Sequence, residues 1–317
     1  MFIKKLKLIH AKLGKPLTQV RGYMNLFSRR LNFLNYLIKR TSFSRLSLGH
    51  SDQDLCAFAY YELKKYGIAK VENCIPRESV IKIKEFLDRS ICDGTNLNQQ
   101  IHIDSVSNPD GPRKKSQNYA SYRDSFAYLS VNQPQLHEKE ILKVALSDVI
   151  IGISELYLGA KPSLTGFNLR KSFVNRVPQS DTQFYHSDAN SVKFLKFFIY
   201  LNDVDENGGP FVYIKCSHKK KFWGWLKKYR WDDCEMEKRY PNDIFLATGK
   251  VGDLIVADTT GFHKGLKPIA NDRGMLTINV SLHPDFMDMK QSFRIKKIDF
   301  ENIPNDKKTY VDFLSVI

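Results

Sequence analysis

The segments FYHSDA, residues 184–189, and GDLIVADTTGFHKG, residues 252–265, decide how the central part of this chain is interpreted. Both lie in short apolar runs that are typical of β-strands. Side chains alternate between the two faces of a strand, so His186 and Asp188 should point to the same face. His263, from a distant strand, would complete a set of two imidazoles and one carboxylate. Because this set suits a non-haem Fe(II) that keeps open coordination positions, we expect these residues to bind a metal.

An arginine follows the second histidine at the start of the last apolar strand, in the segment DRGMLTINV, residues 272–280. A guanidinium is a rigid planar fork that can pair with a carboxylate through two hydrogen bonds. A dicarboxylate co-substrate at a metal needs such a partner for its second carboxylate. Arg273 is therefore the candidate for binding this co-substrate.

Short apolar runs dominate the chain after residue 160, whereas helical patterns dominate before it. Strand-type runs cover residues 164–174, 182–187, 194–201, 211–214, 254–258 and 275–282. Helical patterns cover residues 51–66, a segment that starts at Pro76, and residues 138–158. Short strands separated by turn signals indicate a sandwich or barrel, and the lack of βαβ alternation excludes a doubly wound sheet. We expect a mainly β fold with flanking helices.

The chain of 317 residues has a formal net charge of +15, and its N-terminal segment supplies most of this charge. Residues 1–50 contain 11 Lys and Arg residues and no Asp or Glu. A basic segment interleaved with apolar residues is typical of sequences that bind acidic lipid surfaces. A packed pair of terminal helices or a mitochondrial presequence would explain the same pattern. We treat residues 1–50 as a basic N-terminal arm and expect peripheral membrane contact through it as one interaction.

The five cysteines are odd in number and scattered without paired spacing. This usage indicates reduced thiols in a reducing compartment and argues against a disulfide framework. No run of 18 or more apolar residues occurs, so no membrane-spanning helix is expected. We expect a cytoplasmic protein, with membrane association through the arm as the alternative.

Five segments resemble the phytanoyl-CoA dioxygenase-like family of Fe(II)/2-oxoglutarate-dependent oxygenases, and the match extends from residue 61 to residue 284. They are YGIAKVENCIPRESV (66–80), FYHSDA (184–189), NDVDENGGPFVYIKCSH (202–218), GDLIVADTTGFHKG (252–265) and DRGMLTINV (272–280). The resemblance implies a double-stranded β-helix, or jelly-roll, core of the cupin type. It also implies substrate oxidation coupled to decarboxylation of 2-oxoglutarate, with O2 as oxidant. Residues 51–317 would form one domain, helical over 51–160 and jelly-roll over 161–285.

Position by position, the resemblance implies that His186, Asp188 and His263 bind the catalytic Fe(II). It also implies that Arg273 pairs with the distal carboxylate of 2-oxoglutarate. Some family members place a serine two residues after the distal histidine to help bind this carboxylate. Gly265 occupies that place here, so another donor would be needed.

Three further polar residues are candidates for contacts with 2-oxoglutarate. Thr277 should face the same way as Arg273 and could replace the missing serine hydroxyl. Asn168 and Lys171, on the preceding strand, are candidates for contacts with the inner end of the co-substrate.

The expected reaction is hydroxylation of a C–H bond in a small, lipid-linked or glycan-linked substrate. Related halogenases lack a carboxylate at the position of Asp188, so its presence favours hydroxylation. A non-catalytic jelly-roll binding module that retains the metal ligands is the main alternative.

The insertion at residues 215–231 is rich in Lys and contains all 3 tryptophans of the chain. It favours an anionic substrate or a membrane surface, although a surface helix that covers the sandwich would explain it as well. A binder of sugar nucleotides or nucleic acid is a third interpretation. The segment RGMLTINVS lacks the Arg-rich extension of nucleic-acid demethylases, so nucleic acid is not the expected partner.

Overall fold

A computed structural model describes residues 49–92, 101–102, 123, 126–131, 133–179, 181–188, 193–222, 228–282 and 293–317. The predicted basic arm, residues 1–50, lies outside these ranges except for its last two positions. The centre of the Lys- and Trp-rich insertion also lies outside them. The division of the chain into an arm and a single domain therefore stays a prediction.

The helices that the structure describes are α1 (His50–Tyr66), α2 (Arg77–Cys92), α3 (Lys139–Ala145), α4 (Asp148–Leu158), α5 (Asp233–Arg239) and α6 (Lys297–Glu301). Helix α1 ends at Gly67, whose φ of 85° is left-handed, and a Cβ there would collide with the Tyr213 hydroxyl. Within the described ranges, no helix is both long and apolar enough to cross a membrane.

The single helix predicted over residues 138–158 is wrong, because the chain breaks there into α3 and α4. Ser147 has the extended backbone of an N-cap residue, and Asp148 begins α4, where a negative charge is favourable beside the helix N-terminus. The Lys307 ammonium donates to the Leu146 carbonyl oxygen at 2.8 Å, which gives a backbone acceptor at the break a partner. The residues at the break therefore favour the start of a new helix, and a residue distant in sequence provides a hydrogen bond there.

The strands are β1 (Ile68–Val71), β2 (Ile101–His102), β3 (Tyr128–Val131), β4 (Ser163–Ser172), β5 (Phe194–Tyr200), β6 (Phe211–Ile214), β7 (Ile244–Ala247), β8 (Leu254–Ala257), β9 (His263–Gly265), β10 (Arg273–Ser281), β11 (Arg294–Ile295) and β12 (Ser315–Val316). Seven of them form the major sheet, antiparallel and ordered β1-β8-β5-β10-β4-β3-β2. The minor sheet is ordered β7-β6-β9, and β11 pairs with β12. The predicted mainly β fold with flanking helices is confirmed.

The two faces of the major sheet pack against different partners. Leu276 and Ile278 of β10 belong to a large apolar core shared with the helices, and we call this side the helix-covered face. Met275 and Phe198 point the other way and pack with Phe211 of the minor sheet, and we call this side the barrel face. The alternation follows from the two-residue period of a strand. It leaves every second residue of β4, β5 and β10 facing the space between the sheets.

The segment predicted as a strand over residues 182–187 is not a regular strand. A short 3-10 helix, Asp181–Gln183, is followed by isolated bridges from Tyr185 to Trp231 and from His186 to His263. Strand β9 is only 3 residues long, and one of its edges pairs with β6. Its other edge can therefore form few backbone hydrogen bonds with the segment that contains His186. The bridges nevertheless extend the minor sheet by one segment.

Replacing Leu276 with alanine tests the assignment of the core. Leu276 is 0% exposed in the central strand β10, and a cavity at such a position lowers the free energy of unfolding by about 2–5 kcal/mol. Ile269→Ala is the control, because Ile269 is 68% exposed and its truncation should change stability by less than about 0.5 kcal/mol. Urea unfolding followed by circular dichroism measures both changes. Equal stability of the two variants would contradict the assignment.

Candidate metal centre

Two histidines meet at a backbone bridge between the segment before Asp188 and strand β9. His186 and His263 exchange two backbone hydrogen bonds, each of 2.9 Å, as directly opposed residues of an antiparallel pair. Their imidazole centroids are 4.1 Å apart, and each residue is only 4% exposed. The bridge therefore places two nitrogen ligands side by side in a buried space.

Asp188 is held beside the two imidazoles by the segment that precedes His263. Its backbone amide donates to the Thr259 carbonyl oxygen at 2.8 Å. Its carboxylate oxygens lie 3.8 Å from His186 Nε2 and 3.4 Å from His263 Nε2. The ligand atoms of the three residues all lie within 4.8 Å of one another, a spacing suited to one metal ion. The residues predicted as metal ligands are thus brought together.

Backbone carbonyl groups orient both imidazole rings. His186 Nδ1 lies 2.9 Å from the Phe184 oxygen, and His263 Nδ1 lies 3.0 Å from the Gly261 oxygen. Because a carbonyl oxygen can only accept, each Nδ1 carries the proton and donates it. A neutral imidazole with its proton on Nδ1 has its lone pair on Nε2, the tautomer that binds a metal.

The protonation states of the site also favour a metal. Burial, and then the neighbouring His263, hold the pKa of His186 well below its usual range. Burial acts to raise the pKa of Asp188, but the charge of Lys196 and the imidazole of His263 outweigh it, so this pKa lies well below its usual range. A neutral imidazole and an ionised carboxylate are the metal-binding forms of these groups. Two nitrogens and one carboxylate fit ferrous iron and related divalent ions.

Arg273 lies on the barrel face of β10 and is 3% exposed. Its Nη2 donates to the Ser172 hydroxyl at 3.2 Å and its Nη1 to the Leu266 carbonyl oxygen at 3.4 Å. Its Nε is buried and has no hydrogen-bond partner among the described residues. Burial, with a further contribution from Arg170, lowers the pKa of Arg273 to about 10. A buried guanidinium with an unsatisfied donor is suited to an incoming carboxylate.

A second arginine, Arg170, was missed by the sequence reasoning. It lies on the barrel face of β4, with its guanidinium carbon 3.8 Å from the Tyr128 ring centroid, and its Nη1 donates to the Thr182 hydroxyl at 3.3 Å. Its Nε is also buried without a partner within the described ranges. Two-residue alternation from Ser172, which contacts Arg273, could have identified it, because residues 170 and 172 share a face.

Gly265 lies close both to Arg273 and to Thr182, the residue that Arg170 contacts. A Cβ at Gly265 would lie 3.5 Å from Arg273 Nη2 and 3.9 Å from the Thr182 carbonyl oxygen. The hydroxyl that contacts Arg273 belongs to Ser172 of β4. A hydroxyl therefore lies beside Arg273 although position 265 is a glycine.

The other three predicted co-substrate residues lie on different faces of the major sheet. Asn168 and Thr277 are paired across β4 and β10 and share the barrel face with Met275. This position is compatible with the predicted contacts with 2-oxoglutarate, and the assignment of both residues stays a prediction. Lys171 faces the opposite way, because it is adjacent to Arg170 in a strand. Its ammonium pairs with Asp88 of α2 at 2.8 Å on the helix-covered face. The structure therefore gives the predicted contact of Lys171 with the co-substrate no support, and this assignment stays a prediction.

No family description and no curated protein match this chain. Among solved structures, SnoN, a non-heme alpha ketoglutarate dependent epimerase from nogalamycin biosynthesis, is 12% identical, with 72% of this chain and 84% of SnoN covered and a TM-score of 0.53. SnoK, a carbocyclase with the same cofactor dependence and biosynthetic origin, is 14% identical, with 79% of this chain and 93% of SnoK covered and a TM-score of 0.53. Another SnoN structure, with a TM-score of 0.50, contains Fe3+ and alpha ketoglutarate.

These similarities concern the fold, since the identities are low. Both solved proteins match most of the chain, 72% of it for SnoN and 79% for SnoK. The predicted double-stranded β-helix core is confirmed. Membership of the phytanoyl-CoA dioxygenase-like family stays a prediction.

Replacing Asp188 with alanine tests whether the three residues form a metal site. We expect wild type to bind one Co(II) ion and Asp188→Ala to lose most of this affinity, because the carboxylate is the single anionic ligand of the set. Isothermal titration calorimetry measures the binding, and circular dichroism checks the fold. Asp54→Ala is the control, because Asp54 is exposed on α1. Equal Co(II) binding by both variants would refute the site.

Proposed function

We propose that this protein is an Fe(II)- and 2-oxoglutarate-dependent dioxygenase of the phytanoyl-CoA dioxygenase-like type that hydroxylates a C–H bond of its substrate. The observation that carries the proposal is a buried convergence of His186, Asp188 and His263. Two guanidinium groups with unsatisfied donors, Arg170 and Arg273, lie on the barrel face of the same fold. The three candidate metal ligands and the two arginines lie in the same barrel. Such a combination suits a metal ion together with a co-substrate that carries carboxylates.

The three ligands would hold Fe(II) through His186 Nε2, His263 Nε2 and the Asp188 carboxylate. Three protein ligands leave coordination positions for the 2-oxo acid and for O2. When bound, iron and 2-oxoglutarate supply the oxidation, in which O2 and the 2-oxo acid yield succinate and CO2 and one oxygen atom enters the substrate C–H bond. The protein contributes binding, orientation and exclusion of competing reactions.

Arg273 would bind the distal carboxylate of 2-oxoglutarate through charge-assisted hydrogen bonds. The Ser172 hydroxyl, 3.2 Å from Arg273 Nη2, restricts the orientation of this guanidinium. Met275 and Phe198 line the barrel face between Arg273 and Lys196 and keep water out of this region. In a site with little water, each charged hydrogen bond is stronger than at the protein surface.

Exposed lysines on the outside favour an anionic substrate or surface. Lys64 and Lys65 end helix α1, and Lys219 and Lys220 begin the Lys- and Trp-rich insertion. The two groups are adjacent, because the Lys219 ammonium donates to the Lys64 carbonyl oxygen. This arrangement supports a small, lipid-linked or glycan-linked substrate with negative charge. It also supports peripheral membrane contact of a cytoplasmic protein, to which the basic arm would contribute. Nucleic acid is not a proposed partner, because the segment RGMLTINVS lacks the Arg-rich extension of nucleic-acid demethylases.

Replacing Arg273 with leucine tests the dicarboxylate site. We expect Fe(II)-loaded Arg273→Leu to bind 2-oxoglutarate about ten-fold or more weakly, because hydrogen bonds to charged groups contribute about 1.5–3 kcal/mol. Anaerobic titration of the visible charge-transfer band measures this affinity, and succinate formation measures turnover. Arg239→Leu is the control, because Arg239 pairs with Glu235 on α5.

Two outcomes of this experiment would contradict the proposal. Unchanged 2-oxoglutarate affinity in Arg273→Leu would remove Arg273 from the site. Wild type that binds the metal but neither binds 2-oxoglutarate nor forms succinate would favour the alternative, a non-catalytic jelly-roll module.

Replacing Arg170 with leucine tests the second guanidinium. We expect weaker binding of 2-oxoglutarate by about ten-fold but unchanged binding of 2-oxovalerate, which lacks the distal carboxylate. The same anaerobic titration compares the two acids. Lys171→Leu is a matched control, because its charge lies one residue away on the helix-covered face. An equal loss for both acids would assign Arg170 a structural role.

A further inference from the structure

A lysine contacts the candidate metal ligand Asp188. Lys196 lies on β5, and its Nζ is 2.7 Å from Asp188 Oδ2. The two side chains are only 19% and 11% exposed. Lys196 shares the barrel face with Phe198 and Tyr200, so its ammonium enters the space between the sheets. The contact is therefore a half-buried ion pair within the candidate site.

The location of Lys196 needs an explanation, because an ammonium beside a metal site repels the metal. Burial of a charge is costly unless the charge is paired, and Asp188 is the carboxylate that pairs with Lys196 among the described residues. The directly opposed positions on the neighbouring strands are Ala257 and Asn279. Neither is charged, so these two strand positions provide no second carboxylate for Lys196.

The contact involves one carboxylate oxygen more than the other. Lys196 Nζ is 2.7 Å from Oδ2, which also lies 3.4 Å from His263 Nε2, whereas Oδ1 lies 3.8 Å from His186 Nε2. The Lys196 ammonium attracts Oδ2 through its charge and so favours one rotation of the carboxylate about its last bond. Outer partners of this kind orient metal ligands in many proteins.

We propose that Lys196 is a positioning residue that holds Asp188 Oδ2, so that Asp188 offers the metal only its other oxygen. This inference rests on the proposed function, because it assigns a role at the same metal site. A carboxylate that binds through one oxygen leaves a coordination position free. Without Lys196, the carboxylate can rotate away from this orientation, so it would bind the metal more weakly and in a different geometry.

The test measures metal binding and does not depend on substrate turnover. Lys196→Met keeps the length of the side chain and removes the charge, Lys196→Gln keeps a hydrogen-bond donor without charge, and Lys196→Arg keeps both donor and charge. The matched control is Lys70→Met, because Lys70 pairs with Asp253 at 3.2 Å on β1 and has a comparable side-chain exposure of 25%. The probe is Co(II), added to the full chain without oxygen. Calorimetry gives its affinity, and visible absorption reports its coordination.

We expect Co(II) to bind Lys196→Met about ten-fold or more weakly than wild type, the usual effect of losing an outer partner of a metal ligand. Its visible spectrum should change as well, because the carboxylate binds differently. Lys196→Gln should behave like Lys196→Met, and it replaces that variant if Lys196→Met does not fold. Lys196→Arg should restore affinity and spectrum close to wild type, and Lys70→Met should match wild type.

Three outcomes would overturn the inference. Unchanged affinity and spectrum in both uncharged variants would show that the ion pair does not position Asp188. Tighter Co(II) binding in those variants would show that the ammonium only opposes the metal. Absence of Co(II) binding by wild type would overturn the proposed function together with the inference, whereas failure of the positioning role alone leaves wild-type binding intact.

Discussion

The site depends on two backbone hydrogen bonds of 2.9 Å between His186 and His263. These residues are far apart in sequence, and β9 has only 3 residues. Backbone pairing fixes the direction of both Cα–Cβ bonds, so the imidazoles face one space without any requirement for contact between the side chains. Asp188 depends on the same region, because its amide donates to Thr259, four residues before His263. The three candidate metal ligands are therefore preorganised by the pairing of the main chain.

The sequence identified the mainly β fold and the three residues that meet, because both follow from local patterns and residue type. It could not decide which neighbour on β4 faces the barrel. Arg170 and Lys171 are adjacent, and a register shift of one residue would exchange their faces. The register that settles the question pairs Met275 with Arg170 and is a long-range property. The prediction of a regular strand around His186 was also wrong. A single bridged pair, His186 with His263, aligns the two candidate ligands.

Charge explains why the barrel face is suited to ligands. Arg170, Arg273 and Lys196 all enter it, and within the described ranges only Lys196 has a carboxylate partner there. Cations that are partly or fully buried near one another cost free energy when no anion pairs with them. In the proposed function, a co-substrate with two carboxylates would offset this cost at the arginines, and a metal ion would replace part of the interaction between Lys196 and Asp188.

The two faces of the major sheet have different roles, one in the stability of the fold and the other in the candidate site. Leu276 and Ile278 on the helix-covered face contribute through apolar burial, which many hydrophobic residues of suitable volume can provide. The barrel face instead uses a few polar residues whose identity matters, since geometry and charge there determine what binds. Low identity to SnoN and SnoK, 12% and 14%, is compatible with a common fold for this reason. Because the apolar face tolerates exchange, the fold can persist while the sequence changes, whereas the few polar residues of the barrel face are constrained by what they bind.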